Sequence, residues 1–266
     1  ALVRSEYRPI LVVTQPDRPS GRGMAAAPTP VHRAARDAGL EVRTAAGLKD
    51  GPVAEHLESL KPDFFVVVAF GAIFPERMLR VPRRECVNVH ASLLPAYRGA
   101  SPINAAVANG DSFTGVSTIR MTKQLDAGPV FMQDAEPIDP MEDAGSLSER
   151  LAVRGASLLL ATLRAVENDG LAPVDQPGEG ISRAPLLTKR DGLVPWEKAA
   201  VDVHNHVRGM NPWPGSHSYL GGRYVKIHRT RPSSVMPAPG SPGEVIRAAG
   251  DEILVACGTG SVRIEK

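Results

Sequence analysis

Cysteine is nearly missing from this chain: Cys86 and Cys257 are the only two in 266 residues, and they stand far apart. Two such thiols give no disulfide framework, and a reducing cytosol is the simple compartment. Aromatic residues make up 5% of the chain, and few of them interleave with the basic residues of its C-terminal part. A base-stacking groove for single strands is therefore not expected. No apolar run reaches the ~18 residues of a membrane span, so no membrane partner is expected, and no charged-then-apolar leader with a cleavage site opens the sequence. No G-x-x-x-x-G-K-[ST] stretch occurs, which removes the phosphate loop of nucleotide triphosphatases. No G-x-S-x-G elbow occurs either, so Ser92 near His90 is not read as a hydrolase nucleophile.

What remains is ample for a buried core. Hydrophobic residues are 42% of the chain, enough for one large or two modest domains. The net charge of +2 is small, but it is unevenly spread. Residues 1–182 carry 19 Lys and Arg against 22 Asp and Glu, while residues 183–266 carry 12 against 7. The stretch 183–231 holds nine basic and three acidic side chains. That asymmetry fits an anionic partner, with a merely solvated basic face as the rival reading.

Local patterns give the fold class. Segments 10–14 and 41–44 read as short strands, and 30–40 and 53–60 as helices. Segment 63–70 is apolar at consecutive positions, as a central parallel strand should be. Ser101 is placed as the cap of a helix with Pro102 at its first position and Gly110 just past its end. Segment 145–168 has leucines at helical spacing. Helices alternating with strands argue for a parallel α/β sheet. Residues 171–187 are rich in Pro, Gly and polar residues and read as a linker. A helix over 199–210 follows, then short alternating segments at 218–220, 223–229, 243–247, 253–257 and 261–264, punctuated by Gly as in a small β-barrel.

The chemistry concentrates at residues 86–99. Cys86-Val87-Asn88-Val89-His90 alternates and is β-rich, so a period of two puts Asn88 and His90 on one face. An amide N–H and an imidazole at the carboxyl end of a strand sit where open α/β sheets bind ligands. The pair suits acyl transfer, one group holding an oxyanion and the other moving a proton. The rival reading is a buried Asn and a core His satisfied by neighbours. Asp126, in Leu125-Asp126-Ala127-Gly128, follows an alternating stretch from Thr114 to Met121 and can enter the same cleft; an Asx turn before Gly128 is the plainer alternative.

Two other motifs are set aside. Gly21-Arg22-Gly23-Met24-Ala25-Ala26 has the letters of a dinucleotide fingerprint, but six residues, Pro16 and Pro19 among them, separate it from the strand expected to end at Thr14, and Pro28 and Pro30 follow. His204 and His206 lie two apart on a helix, and nothing completes a tetrahedral metal set. They are read as ordinary helix residues, open to an RNA partner, and no metal is expected.

Taken in order, Asn88-Val89-His90, Ser92-Leu93-Leu94-Pro95, Arg98-Gly99, Gly110-Asp111, Thr114-Gly115-Val116 and Leu125-Asp126-Ala127-Gly128 resemble the formyltetrahydrofolate-dependent formyltransferases. In that family the residues matching Asn88, His90 and Asp126 form the catalytic trio. The resemblance implies a Rossmann-like parallel-sheet catalytic domain over 1–170, a linker over 171–188, and a small OB-like β-barrel tRNA-binding domain over 189–266. It implies 10-formyltetrahydrofolate as consumed cosubstrate, with Ser92, Leu93, Leu94 and Pro95 lining its site.

Gln15-Pro16-Asp17-Arg18-Pro19-Ser20-Gly21-Arg22-Gly23 resembles the loop of family members whose formyl acceptor is initiator methionyl-tRNA. In those members the Arg matching Arg22 touches the acceptor stem, so Arg18 and Arg22, with Lys189 and Arg190, are the expected tRNA contacts. Met24-Ala25-Ala26-Ala27 stands where lysines are usual, so fewer phosphate contacts are expected there. Asn211-Pro212-Trp213-Pro214-Gly215 resembles the start of the family's C-terminal domain. Such a protein is expected to be a monomer in the cytoplasm of a bacterium, or in an organelle if eukaryotic. Acceptors of a different kind, such as an amino sugar nucleotide, or simple hydrolysis of the folate, are the alternatives within the family. A catalytically silent RNA-binding module is the alternative outside it, and the intact trio argues against that. The family's opening strand and last strand are not represented. A sheet without its first central strand would leave edges unpaired, so both are expected to exist beyond the residues given.

Overall fold

Proline sets the start of three helices, and short β-branched runs set the strands between them. The computed structural model describes residues 1–20, 25–233, 240–250 and 252–266. Strand Val12–Thr14 (β1) leads to the short strands Arg18–Ser20 (β2) and Ala25–Ala27 (β3), helix Pro30–Asp37 (α1) and strand Val42–Thr44 (β4). Helix Pro52–Leu60 (α2), strand Phe64–Val68 (β5), helical turn Glu76–Leu79 (α3) and strand Glu85–His90 (β6) follow. Then come Arg98–Gly99 (β7), helix Pro102–Ala108 (α4), strands Phe113–Arg120 (β8) and Val130–Pro137 (β9), and helix Ala144–Glu167 (α5). The remainder is Arg183–Ala184 (β10), helix Ala200–Gly209 (α6), and strands His217–Leu220 (β11), Arg223–Lys226 (β12), Thr230–Ser233 (β13), Val245–Ala249 (β14), Glu252–Ala256 (β15) and Ser261–Ile264 (β16). Pro30, Pro52 and Pro102 each occupy a first helical turn, where their missing N–H costs nothing. Ser101 precedes α4 as expected, but its side chain makes no capping bond; its carbonyl accepts from Ala105 N–H instead.

The chain divides into two compact units. The first comprises Ala1–His90, Val116–Asp134 and Val153–Gly180. Within it β1 pairs with β4 in parallel, and β5 pairs with β6 in parallel. Strand β6 then pairs with β8 antiparallel, so the four-stranded order β5-β6-β8-β9 is mixed rather than wholly parallel. The two-faced apolar reading of β5 holds through Val67. Phe65 and Val67 join Leu57, Phe74, Met78 and Cys86 on one side. Phe64 and Val66 pack on the other, against Val87, Phe131, Leu159 and Leu163. Val68, at the end of the strand, is exposed. Helix α5 comes close because residue 155 is glycine: a Cβ there would lie 3.1 Å from Val89 Cγ1 and 3.3 Å from Val116 Cγ1.

The second unit comprises Ala91–Gly115, Ala135–Ala152 and Ile181–Lys266. Its core sets Val203 and Val207 of α6 against Ile227, Val255, Cys257 and Val262. The strands behind α6 form a four-stranded antiparallel sheet, β13-β16-β15-β14, and β11-β12 is a separate hairpin. The expected closed barrel is not found among the described residues. The strand expected over 223–229 stops at Lys226, and β13 was not expected at all, because Pro232 reads against a strand. The residues 171–187, expected as a linker, carry backbone pairings of their own, Val174 with Val130 and Arg183–Ala184 with Arg98–Gly99.

The two helix histidines are turned inward rather than toward a partner. His204 is buried, with Nε2 against the Pro140 carbonyl at 3.0 Å and Nδ1 against Thr230 Oγ1 at 3.2 Å. Burial lowers its pKa, and burial helped by Lys198 pushes that of His206 down to about 4. Among the described residues no helix is long and apolar enough to cross a membrane.

Two outcomes follow for stability. Gly155→Val should lower stability by about 1–3 kcal/mol through overpacking, read as a shifted urea midpoint; an unchanged midpoint would mean that α5 does not press on β6 and β8. Because His206 is held neutral in the folded chain, the unfolded chain binds more protons between about pH 4 and 6.5. Stability should therefore fall as pH drops through that window, and His206→Asn should flatten the slope by about one proton. Equal slopes for the two proteins would place His206 in water.

Candidate functional site

Strand β6 carries the site because its two faces differ in chemistry. Val87 and Val89 point to the core shared with Leu159 and Leu163. Cys86, Asn88 and His90 point the other way. Cys86 is buried and its Sγ lies 3.5 Å from Met121 Sδ. Burial, helped by Glu85, pushes its thiol up to about 12, so it stays protonated near neutral pH and offers no nucleophile. Asn88 lies half-buried in register with Val67 and Ile119, and His90 is 6% exposed.

The third residue arrives from the turn between β8 and β9. Asp126 Oδ1 lies 3.4 Å from Asn88 Nδ2, and Asp126 Oδ2 lies 3.6 Å from His90 Nδ1. One carboxylate thus spans the amide and the imidazole, with its side chain only 9% exposed. The backbone that permits this is unusual. Asp126 has φ 50°, a left-handed conformation that Asp tolerates better than most residues. Gly128 passes so close to β8 that a Cβ would lie 1.8 Å from the Arg120 carbonyl oxygen. The Leu-Asp-x-Gly pattern therefore needs its glycine for space. The plainer reading of Asp126 as a turn residue describes its backbone but not where its carboxylate goes.

Three residues escaped the sequence reading. Gln176 donates from Nε2 to the carbonyls of Asp126 and Gly128, at 2.8 Å each. It ties down both sides of the turn that presents the carboxylate. Its only sequence signal was a long polar side chain inside a segment read as a linker. Ser117 lies across from His90 in β8 and is fully buried, and Gln133 Nε2 donates to its hydroxyl at 2.8 Å. A polar strip therefore crosses the sheet beside the imidazole, and alternation alone could not single it out.

The arrangement has clear chemical consequences. A carboxylate facing Nδ1 favours the tautomer with its proton there, which leaves Nε2 with a lone pair to accept one. Asn88 has two amide protons, so one is left for a bound oxygen while the other faces Asp126. The distances of 3.4 and 3.6 Å are loose, as such contacts are before a substrate closes them.

Ser92, Leu93, Leu94 and Pro95 follow β6 in the chain and belong to the second unit. There Ser92 is fully buried with Oγ donating to the Ala96 carbonyl at 2.6 Å, and Leu94 is buried. Lys189 and Arg190 stand on the helical turn Lys189–Gly192 of the same unit. Arg18 lies on β2 in the first unit, and Arg22 lies outside the described residues. Among the described residues no group of three or more His, Cys, Asp or Glu side chains is placed to hold a metal ion.

Comparison with known proteins agrees over nearly the whole chain. Residues 4–163 match the formyl transferase family, and residues 186–266 match the formyl transferase C-terminal domain. The methionyl-tRNA formyltransferase of Trichlorobacter lovleyi is 43% identical over 257 residues, covering 97% of this chain and 80% of that protein. The methionyl-tRNA formyltransferase of Geotalea uraniireducens is 44% identical, covering 97% and 81%. Among solved structures, the N-formyltransferase from Helicobacter canadensis, in complex with folinic acid and dTDP-3-aminofucose, superposes with a TM-score of 0.69. It shares 15% identity and covers 96% of this chain and 98% of that one, so it speaks to the fold alone.

Gln176 gives the site its own test. Its two bonds should hold the turn by about 1–3 kcal/mol. Gln176→Leu should then speed hydrogen exchange at Ala127 and Gly128 by roughly tenfold or more, while β6 amides keep their protection. Unchanged exchange would mean that the turn holds itself.

Proposed function

The chain belongs to the formyl transferase family, and from that premise we propose that it transfers a formyl group from 10-formyltetrahydrofolate to the α-amine of methionyl initiator tRNA, for translation initiation. The observation that carries this reading is the Asp126 carboxylate spanning Asn88 and His90 at the end of β6. Its support comes from relatives of that name at about 40% identity along the chain.

The residues divide the work as follows. The ammonium of the aminoacyl group gives up a proton to His90 Nε2, with Asp126 holding the imidazole and stabilising it once charged. The free amine attacks the formyl carbon, and a new C–N bond forms. The carbonyl oxygen becomes an oxyanion, to which the second Asn88 amide proton donates. The bond from the formyl carbon to the folate nitrogen then breaks, that nitrogen leaves with the proton held by His90, and the new amide nitrogen, cationic since the attack, gives its extra proton to the neutral His90, which releases it to solvent. Nothing is oxidised or reduced, and no metal is needed.

On the same resemblance, Ser92, Leu93, Leu94 and Pro95 are assigned to the folate. Arg18, Arg22, Lys189 and Arg190 are assigned to the tRNA. Residues 1–170 form the catalytic domain of this reading and residues 189–266 the tRNA-binding domain, joined by the linker 171–188. The protein acts as a monomer in the cytoplasm.

The deciding measurement is transfer of labelled formyl to charged initiator tRNA with an amino sugar nucleotide as competing acceptor. Asn88→Ala should lower kcat by ~10²–10³, and His90→Ala or Asp126→Asn by ~10²–10⁴, with folding unchanged. Arg22→Ala should weaken use of the tRNA, and Arg22→Lys should restore it only in part, since an ammonium lacks the bidentate fork. Formylation of the sugar nucleotide in preference to the tRNA would replace the acceptor, and near-normal turnover in Asn88→Ala would remove the trio.

A further inference from the structure

The scarcity of aromatic residues hides a cluster of them. In the β11-β12 hairpin, His217 pairs with Lys226 and Tyr219 pairs with Tyr224. A period of two therefore puts all four on one face, with Ser218 and Val225 on the other. The rings contact one another: His217 and Tyr224 stack with centroids 5.0 Å apart, and Tyr219 meets Tyr224 edge-on at 5.9 Å. Trp213 joins them on the lining of one open cleft of about 700 Å³, together with Lys189, Arg190 and Lys226.

These rings are presented rather than packed away. Trp213 is 53% exposed, Tyr219 60% and Tyr224 54%. Their backbone supports are firm. Asn104 Nδ2 donates to the Trp213 carbonyl at 3.1 Å and to that of Gly209 at 2.8 Å. Val194 N–H donates to the His217 carbonyl at 3.0 Å, joining the hairpin to the chain that follows the basic turn. The carboxylate of that turn, Asp191, accepts from the Thr188 N–H and hydroxyl, which lowers its pKa, with Arg190 adding to the effect.

Three flat faces beside three cations match one kind of partner. The rings offer π-faces for bases, which stack on aromatics whatever their sequence, and the cations offer charge for the phosphates between them. A paired helix hides its base faces and can use only the charge. We propose that this cleft is a stacking site for unpaired nucleotides of the RNA acceptor. The proposal rests on the reading of the acceptor as tRNA and adds what the composition seemed to exclude, a base-stacking surface in the basic C-terminal part.

The test uses the full chain and four probes: a short labelled single-stranded RNA, the same strand with abasic positions, a blunt RNA hairpin, and inorganic polyphosphate. Tyr219→Ala, Tyr224→Ala and Trp213→Ala should each weaken the single strand by about 5- to 150-fold where that ring stacks a base. They should leave polyphosphate and the hairpin nearly unchanged. Tyr219→Phe and Tyr224→Phe should bind like the parent, and abasic positions should cost the parent more than the Ala variants. Lys189→Glu with Lys226→Glu should weaken every probe. Ala variants that bind the single strand as the parent does would overturn the proposal. So would equal losses for RNA and polyphosphate, which would leave charge alone, or a loss of self-association with RNA binding intact, which would make a second copy the occupant. Formyl transfer by the parent to methionyl-tRNA, run alongside, separates the two failures. Transfer to tRNA with ring-independent binding removes only the stacking site, whereas transfer to an amino sugar nucleotide instead of tRNA removes the acceptor reading itself.

Discussion

Burial of β6 on both faces is the constraint from which the site follows. A strand flanked by β5 on one side and β8 on the other has no backbone edge to offer solvent. Its odd residues, Val87 and Val89, are committed to the core beneath α5. The strand cannot slip by one residue, because that would send the valines to the polar side and Asn88 and His90 into the Leu159 and Leu163 cluster. The register is thus fixed by apolar packing on one side, and Asn88 and His90 are placed on the other as a consequence. Gly155 belongs to this account although it touches no polar group. It lets α5 press on Val89 and Val116, directly behind the strand that carries the imidazole.

The carboxylate is held by a different kind of constraint. Asp126 sits on a turn, and turns are mobile unless tied. Here a left-handed residue, a glycine against a carbonyl and the two bonds from Gln176 fix it together. Holding the turn before substrate arrives matters for this chemistry, since a preorganised dipole needs no rearrangement when charge develops. Gln176 acts through Asp126 and is a positioning residue in this account.

Legibility in the sequence tracked the range of the interaction. Period two in residues 86–90 is local, and it located Asn88 and His90 on one face without any tertiary information. The apolar run at 63–70 likewise announced a strand covered on both sides, which the structure shortens to Phe64–Val68 with Val68 exposed. Asp126 was legible through an ordered set of motifs rather than through its own surroundings. Gln176 was not, because its bonds span about fifty residues and nothing nearby marks it. The open arrangement of the C-terminal strands was not legible either. Alternation predicts strands, but whether a sheet closes depends on pairings made far apart in the chain, and here β13 pairs with β16, while among the described strands β11 and β12 form a ladder with each other alone. The inward turn of His204 and His206 had the same cause, since a two-residue spacing says nothing about which sides of a helix are covered.

The aromatic cleft shows how composition can mislead about a surface. A chain with 5% aromatics has too few for a groove if they are scattered. Hairpin register removes the scatter, because Tyr219 and Tyr224 are direct partners and His217 and Lys226 are the next pair along the same face. Exposing such rings costs apolar burial that a fold gives up only where something else covers them for part of the time. Charge narrows what that is: with Lys189, Arg190 and Lys226 around the rings, an apolar protein face would have to strip water from three cations, whereas a nucleotide brings a phosphate for the cation and a base for the ring. On the proposed reading the same two terms divide the work of RNA binding, with diffuse charge giving attraction and a few oriented side chains giving register.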